Sequence, residues 1–225
     1  MTQNVIISHF PFLMQGFLLT LKVAFISVIL SMVIGSLLGI IRFVKIPVLS
    51  WLVGAFVDIT RSIPLILYII FVHFSISPYL YPYTDFLRYL GVDSIEMYSA
   101  IIAIVAFTSA YIAEIIRSGL ASVEKQQILA AKALGMNRFQ ILESVIFPQA
   151  LVRMKPALCA QFVTLIKDTS LASAIGLIEL TRASEIVYET SLNEFQILLF
   201  VAFVYIATSF LVQRMFYSHG CDVKA

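Results

Sequence analysis

Long apolar stretches alternate with shorter polar ones along this chain, and the apolar stretches run to about 20 residues, the length that carries a helix across a ~30 Å hydrocarbon layer. Five windows stand out, at about 17–41, 49–76, 99–116, 157–173 and 195–216. They predict an all-α integral membrane protein with about five transmembrane helices, forming a single domain over 1–225. Pro64 falls inside the second window and disturbs its backbone pairing; Pro78 and Pro82, just beyond it, forbid a continued helix. The first outer connection, 77–97, carries Tyr79, Tyr81, Tyr83 and Tyr89, which suit a membrane interface. The second, 174–194, is long enough for a short helix lying on the surface, and its acidic residues Glu179, Glu185, Glu189 and Glu194 mark it as polar.

Composition agrees with the pattern. Hydrophobic residues make up 60% of the 225 and charged ones 12%, against about a quarter charged in soluble domains. A net charge of +2 with no contiguous basic arm excludes a nucleic-acid partner. Cys159 and Cys221 are too far apart for a zinc or redox motif, so reduced thiols and no metal site are expected. The N-terminus lacks a basic n-region and a cleavage site, which makes the first apolar run a permanent span.

Charge sets the predicted orientation. With the N-terminus outside and the C-terminus cytoplasmic, the inner segments hold Arg42, Lys45, Arg117, Lys125, Lys132, Arg138, Arg153, Lys155, Arg214 and Lys224. The outer segments keep Arg88 and Arg182, while Lys22, Arg61 and Lys167 fall in or at the ends of spans. Ten inner cations against two outer ones follow the positive-inside rule.

The cytoplasmic loop 119–156 is longer than a connection between neighbouring helices requires. Good helix formers over 128–134, a reversal at Gly135 and a second short helix over 138–147 predict a helix-turn-helix facing the cytoplasm. Ala130, Ala131 and Ala133 would let another protein approach the backbone closely. The run AAKALG, nine residues, then VIFP resembles the cytoplasmic signature of integral permease subunits of ATP-binding-cassette importers. Ala130, Ala131, Gly135, Val145, Phe147 and Pro148 take the matching positions, and Leu129 stands where the signature opens with glutamate. The strings LLTLKVAFISV, DITRSIPLILYIIF, YIAEIIRSGLASV, FPQALVRMKPAL and QFVTLIKDTSLASAIGLIELTRAS extend the likeness, toward the polar amino acid branch, over most of residues 16–186.

That resemblance implies a bacterial inner-membrane, multi-pass subunit paired with an identical or sister permease. It further implies two ATPase subunits carrying ATP and Mg, and an extracytoplasmic solute-binding protein that delivers the amino acid. The loop around Leu129, Ala130, Ala131, Gly135 and Pro148 would dock on the ATPase. The chain has no GxxxxGK[ST] phosphate loop, so no enzyme activity or cofactor of its own is expected.

Ionisable residues within spans are costly and usually face a partner or a water-filled cavity. Asp58 and Arg61 in DITRSIP, and Lys167 and Asp168 in LIKDTS, form this set. A zwitterionic substrate needs a cation for its carboxylate, which Arg61 offers as a two-pronged donor, and an anion for its ammonium, which Asp168 offers beside the hydroxyls of Thr169 and Ser170. Gln161, seven residues before Asp168, is placed to influence side-chain choice. A structural reading pairs Asp58 with Arg61 along one helix and lets Lys167 snorkel to the interface. An ion-coupled secondary transporter or channel, and a membrane scaffold that uses the loop only for docking, are the other function classes the residues allow.

Overall fold

The computed structural model describes residues 5–89, 94–191 and 193–217. Helix α1 (Val5–Val44) is followed by α2 (Leu49–Ser62), α3 (Leu65–Leu80) and, after a 3-10 turn at Tyr81–Tyr83, α4 (Thr84–Tyr89). Next come α5 (Ile95–Ala121), the loop helices α6 (Lys125–Ala133) and α7 (Arg138–Ile141), a π-helical segment Leu142–Ile146, and α8 (Phe147–Asp168). A 3-10 segment Thr169–Ile175, α9 (Leu180–Ser191) and α10 (Glu194–Tyr217) complete the described chain, which contains no strand among these residues.

Three helices, α1, α5 and α10, are long and apolar enough to cross a membrane, and the pair α2 and α3 makes a fourth candidate bent by 111°. Of the about five expected spans, three to four are thus long and apolar enough by themselves among the described residues. The expected span 157–173 lies in the second half of α8 and its 3-10 extension, where Gln161, Lys167 and Asp168 dilute the apolar run. The second window divides where expected: Ile63, the residue before Pro64, is extended at φ −99° and ψ 136°, and α3 starts afresh behind the proline. Pro78, by contrast, is accommodated near the end of α3, which continues to Leu80. Helix α1 starts 12 residues before the expected boundary and contains Pro11. Cys159 is a buried thiol; Cys221 lies outside the described residues.

Helix α5 is the central post, packed by α1, α2, α3 and α8. Its seam with α1 runs along a row of small residues on α1, among them Ser27, Ser31, Gly35 and Gly39. An added Cβ at Gly35 would stand 2.7 Å from Ile112 Cβ, and one at Gly39 would stand 2.6 Å from the Ala113 carbonyl oxygen. Contacts that advance together in number, Gly35 with Ile112 and Gly39 with Ile116, mean parallel helices. Small residues allow this approach because lipid supplies no hydrophobic force between helices, leaving close packing to hold them. The outer face of α10, with Leu199, Phe203, Phe210 and Met215 exposed, is the apolar surface a bilayer covers.

Helix α9 is the short helix expected in the connection 174–194, but Glu179 is not a solvated marker of it. Glu179 is fully buried. Its carboxylate accepts from the backbone N–H groups of Thr181 and Arg182, both at 2.9 Å, and so caps the start of α9. It also accepts from the hydroxyls of Tyr205 on α10, at 3.1 Å, and Thr20 on α1, at 3.4 Å. Burial pushes its carboxyl above the ordinary range, and these donors oppose that rise. The native state therefore holds this proton more tightly than the unfolded chain does. Stability is expected to fall as pH rises from the unfolded carboxyl range through the folded one. Detergent-solubilised protein should show that slope in its thermal midpoint, and Glu179→Gln, which keeps an acceptor without a charge, should flatten it. An identical slope in the variant would assign the effect to another group.

Candidate functional site

The residues singled out by the sequence fall in three places: the loop between α5 and α8, the charged surroundings of the break between α2 and α3, and the end of α8 with its 3-10 extension.

The loop is shorter than expected, because α5 runs on to Ala121 and α8 begins at Phe147, leaving 122–146. Helix α6 ends at Gly135, whose φ of +79° closes a left-handed cap. Gly135 N–H donates to the Lys132 carbonyl at 2.9 Å and Met136 N–H to Ala131 at 3.2 Å, the paired bonds that reverse a chain at a helix end. Asn137 then caps α7, and the Gln140 side chain returns a bond to the Asn137 backbone. The two signature alanines separate: Ala131 is buried, and Ala130 faces outward with Leu129.

Ala131 belongs to a core that starts at Ile112, Ile116 and Leu120 of α5. It passes through the loop at Val123, Ala131, Ile141 and Ile146, and ends at Ala150, Met154 and Leu158 of α8. Polar clasps close the same joint. Arg153 of α8 donates to the Ser122 carbonyl at the end of α5, and Gln149 donates to Gln127 of α6 at 2.7 Å. Dense cores transmit displacement because they have few voids to absorb it. Leu129, Leu134 and Phe139 nevertheless remain 62%, 82% and 70% exposed on the outer side of this loop. The loop is thus an apolar tip on a base continuous with the spans. Pro148 sits in the first turn of α8, where its missing N–H costs no helical bond.

At the helix break, Arg61 occupies the last turn of α2 with its guanidinium 5.1 Å from the centre of the Tyr111 ring on α5, a cation–π contact. Asp58 is 70% exposed and 3.9 Å from Arg42. The Asp58–Arg61 pair of the structural reading is not made. Glu114 of α5 instead organises this end of the molecule, accepting from Arg42 at 2.9 Å and from Arg117 one turn on. The neighbouring break leaves the last carbonyls of α2 and the first N–H groups of α3 without helical partners, an arrangement tolerated at membrane depth where backbone lines a cavity.

Asp168 closes α8. It is half-buried, with no ion pair to Arg61 among the described residues. Helix α8 approaches α5 closely where Met154 meets Gly119. Thr169 is buried and its hydroxyl donates to the Ile166 carbonyl at 2.7 Å; Ser170 donates to Lys167 at 2.7 Å. Both hydroxyl protons are spent on the backbone, leaving lone pairs to accept. Gln161 is half-buried seven residues before Asp168, on the same side of α8.

Sequence reasoning missed the buried role of Glu179 and the Arg42–Glu114 pair. Their partners lie 159 and 72 residues away, beyond any local pattern.

The sequence pattern of one family, described as the binding-protein-dependent transport system inner membrane component, matches residues 31–219. The chain belongs to this family. It is accordingly a multi-pass inner membrane protein and part of a transport system served by a binding protein. The "Probable glutamine ABC transporter permease protein" of Bacillus subtilis strain 168 is 41% identical over 90% of this chain and 89% of its own. The "Glutamate/aspartate import permease protein" of Escherichia coli is 31% identical over 91% and 90%. Among solved structures, an amino acid ABC transporter crystallised with histidines superposes with TM-score 0.81 at 24% identity, covering 97% of this chain and 98% of that one. An inward-facing methionine ABC transporter gives 0.68 at 23% identity over 94% and 97%. This inner membrane component therefore shares their fold.

Proposed function

We propose that this chain is the permease subunit of an ATP-driven importer of polar amino acids. Two separate ATPase subunits, binding ATP and Mg, drive it, a solute-binding protein loads it from outside, and a second permease, identical or a sister chain, completes the path. The observation that carries this reading is the exposed apolar tip Leu129, Leu134 and Phe139, mounted on a core continuous with α5 and α8. A secondary transporter has no use for such a lever. The glutamine and glutamate/aspartate permeases among its relatives support the substrate class.

The N-terminus faces outward and the loop 122–146 faces the cytoplasm, as the basic residues at the loop end favour. ATP-driven closure of the ATPases moves the loop, and the loop moves α5 and α8 between inward-open and outward-open states, each favoured by different contacts. Arg61 takes the substrate carboxylate and Asp168 its ammonium, with Thr169 as acceptor; Asp58 and Gln161 stand beside this path.

Reconstituted transporter supplied with its solute-binding protein tests the assignment. Arg61→Gln and Asp168→Asn are each expected to cut uptake by more than about tenfold, the loss of one charge-assisted contact of about 1.5–3 kcal/mol. Full uptake in both variants overturns the residue roles. Uptake by this chain alone, driven by an ion gradient and indifferent to vanadate, overturns the ATP-driven reading itself.

A further inference from the structure

Where α1 and α5 end and α6 begins, the fold forms a half-open cavity of about 310 Å³. Four cations line it: Arg42 and Lys45 at the end of α1, Arg117 on α5 and Lys125 at the first position of α6. No acid is among its lining residues, and Phe43, Leu120 and Ile128 supply apolar wall. Glu114 binds the two guanidinium groups and Asp58 approaches Arg42 from 3.9 Å, so two carboxylates offset two of the four charges. Among the described residues no carboxylate lies within 4 Å of Lys45 or Lys125. An excess of two positive charges thus faces a half-apolar recess at the end of the membrane-crossing helices.

The backbone contributes an independent observation. Lys45 has φ 58° and Val48 φ 63°. Left-handed φ is uncommon for any residue other than glycine and a true outlier for a β-branched one. Two such residues within four positions bend the chain sharply out of α1, and the turn places the Lys45 side chain on the cavity rather than along a continuing helix. Strain of this kind persists where the surrounding structure has a use for the geometry.

We propose that this cavity binds a phosphate-bearing anion, either the head group of an anionic phospholipid or a free phosphate. The convergence of two guanidinium and two ammonium groups matches several oxygens on one centre, and basic pockets between membrane helices on the cytoplasmic side are suited to acidic head groups. The apolar wall leaves room for the start of an acyl chain. Lys125 and Ile128 belong to α6, so the bound anion touches the loop helix directly and ties the state of the loop to the anion. The site rests on the proposed function only in being assigned to the cytoplasmic leaflet.

The assembled transporter, purified in detergent and stripped of lipid, is titrated with phosphatidylglycerol or phosphatidylcholine, each with and without inorganic phosphate, and bound lipid is counted by native mass spectrometry. Phosphate binding is followed separately by calorimetry. Wild type is expected to hold phosphatidylglycerol at least about tenfold more tightly than phosphatidylcholine. The double variant Lys45→Gln/Lys125→Gln should lose that preference, and Lys45→Arg/Lys125→Arg should restore it. The restoring variant separates loss of charge from loss of fold. Phosphatidylglycerol binding that inorganic phosphate does not displace identifies the lipid; a calorimetric phosphate isotherm lost in the glutamine variant identifies the soluble anion. Equal retention of both lipids by wild type with no phosphate isotherm overturns the proposal, as does unchanged anion binding in the glutamine variant. If that variant instead sheds the ATPase while anion binding stays unmoved, the cavity receives an acidic side chain of the partner, and the proposal fails. ATP hydrolysis stimulated by the solute-binding protein, measured on the same preparation, reports on the transport function whichever way the anion result falls.

Discussion

Replacing Gly39 with alanine is expected to lower the thermal midpoint of the solubilised protein, while the same replacement at Gly54 raises it slightly. Both glycines are helical, so alanine gains each about 1 kcal/mol of helix propensity. The surroundings decide the sign. At Gly54 the nearest atom to a new Cβ is Arg42 Nε at 3.8 Å, ordinary contact with a side chain. At Gly39 the new Cβ meets the Ala113 carbonyl oxygen at 2.6 Å and Ile116 Cβ at 2.8 Å. Backbone cannot rotate away, so α1 must lift from α5, at the 1–3 kcal/mol or more of an overfilled core. The damage reaches further, because Arg42 and Glu114 follow directly on the two sides of this seam and hold each other at 2.9 Å. Gly39→Leu is expected to prevent accumulation of folded protein. Equal midpoints for Gly39→Ala and Gly54→Ala would show that the seam is looser than its geometry.

The second large effect is expected at Ala130. Arginine in its place leaves the fold intact, since the side chain points away from the core that holds Ala131. Solute-stimulated ATP hydrolysis and uptake should nonetheless fall by at least about thirtyfold, the equivalent of the ~2 kcal/mol lost at a central interface position. Leu134→Glu, at the exposed tip, should act in the same direction. Co-purification of the ATPase measures the loss of docking, and the thermal midpoint of the permease controls for folding. Normal uptake with Ala130→Arg would remove the loop from the coupling path.

The parts legible in the sequence were those set by local rules. The all-helical class, the break at Pro64, the reversal at Gly135 and the short helix before α10 follow from apolar run length, proline and glycine. The pairing of Glu114 with Arg117, three residues apart, is equally local. Long-range pairing was illegible: Glu179 reads as one more surface acid until Thr20 and Tyr205 are brought to it. Asp58 reads as a partner for Arg61 until α1 delivers Arg42. The second half of α8, which carries Gln161 and Lys167 among its apolar residues, is less plainly apolar than α1, α5 or α10.

The π-helical segment Leu142–Ile146 joins α7 to α8 through a wider turn, marked by the bond from Phe147 N–H to the Leu142 carbonyl. A wide turn is one residue out of step with an α-helix. Drawing it tight would advance everything beyond it by about 100° and 1.5 Å, exchanging which side of α8 meets α5. Ile141 and Ile146, on either side of the wide turn, are both buried in the same core, so the wide turn is fastened to the α5–α8 joint at both ends.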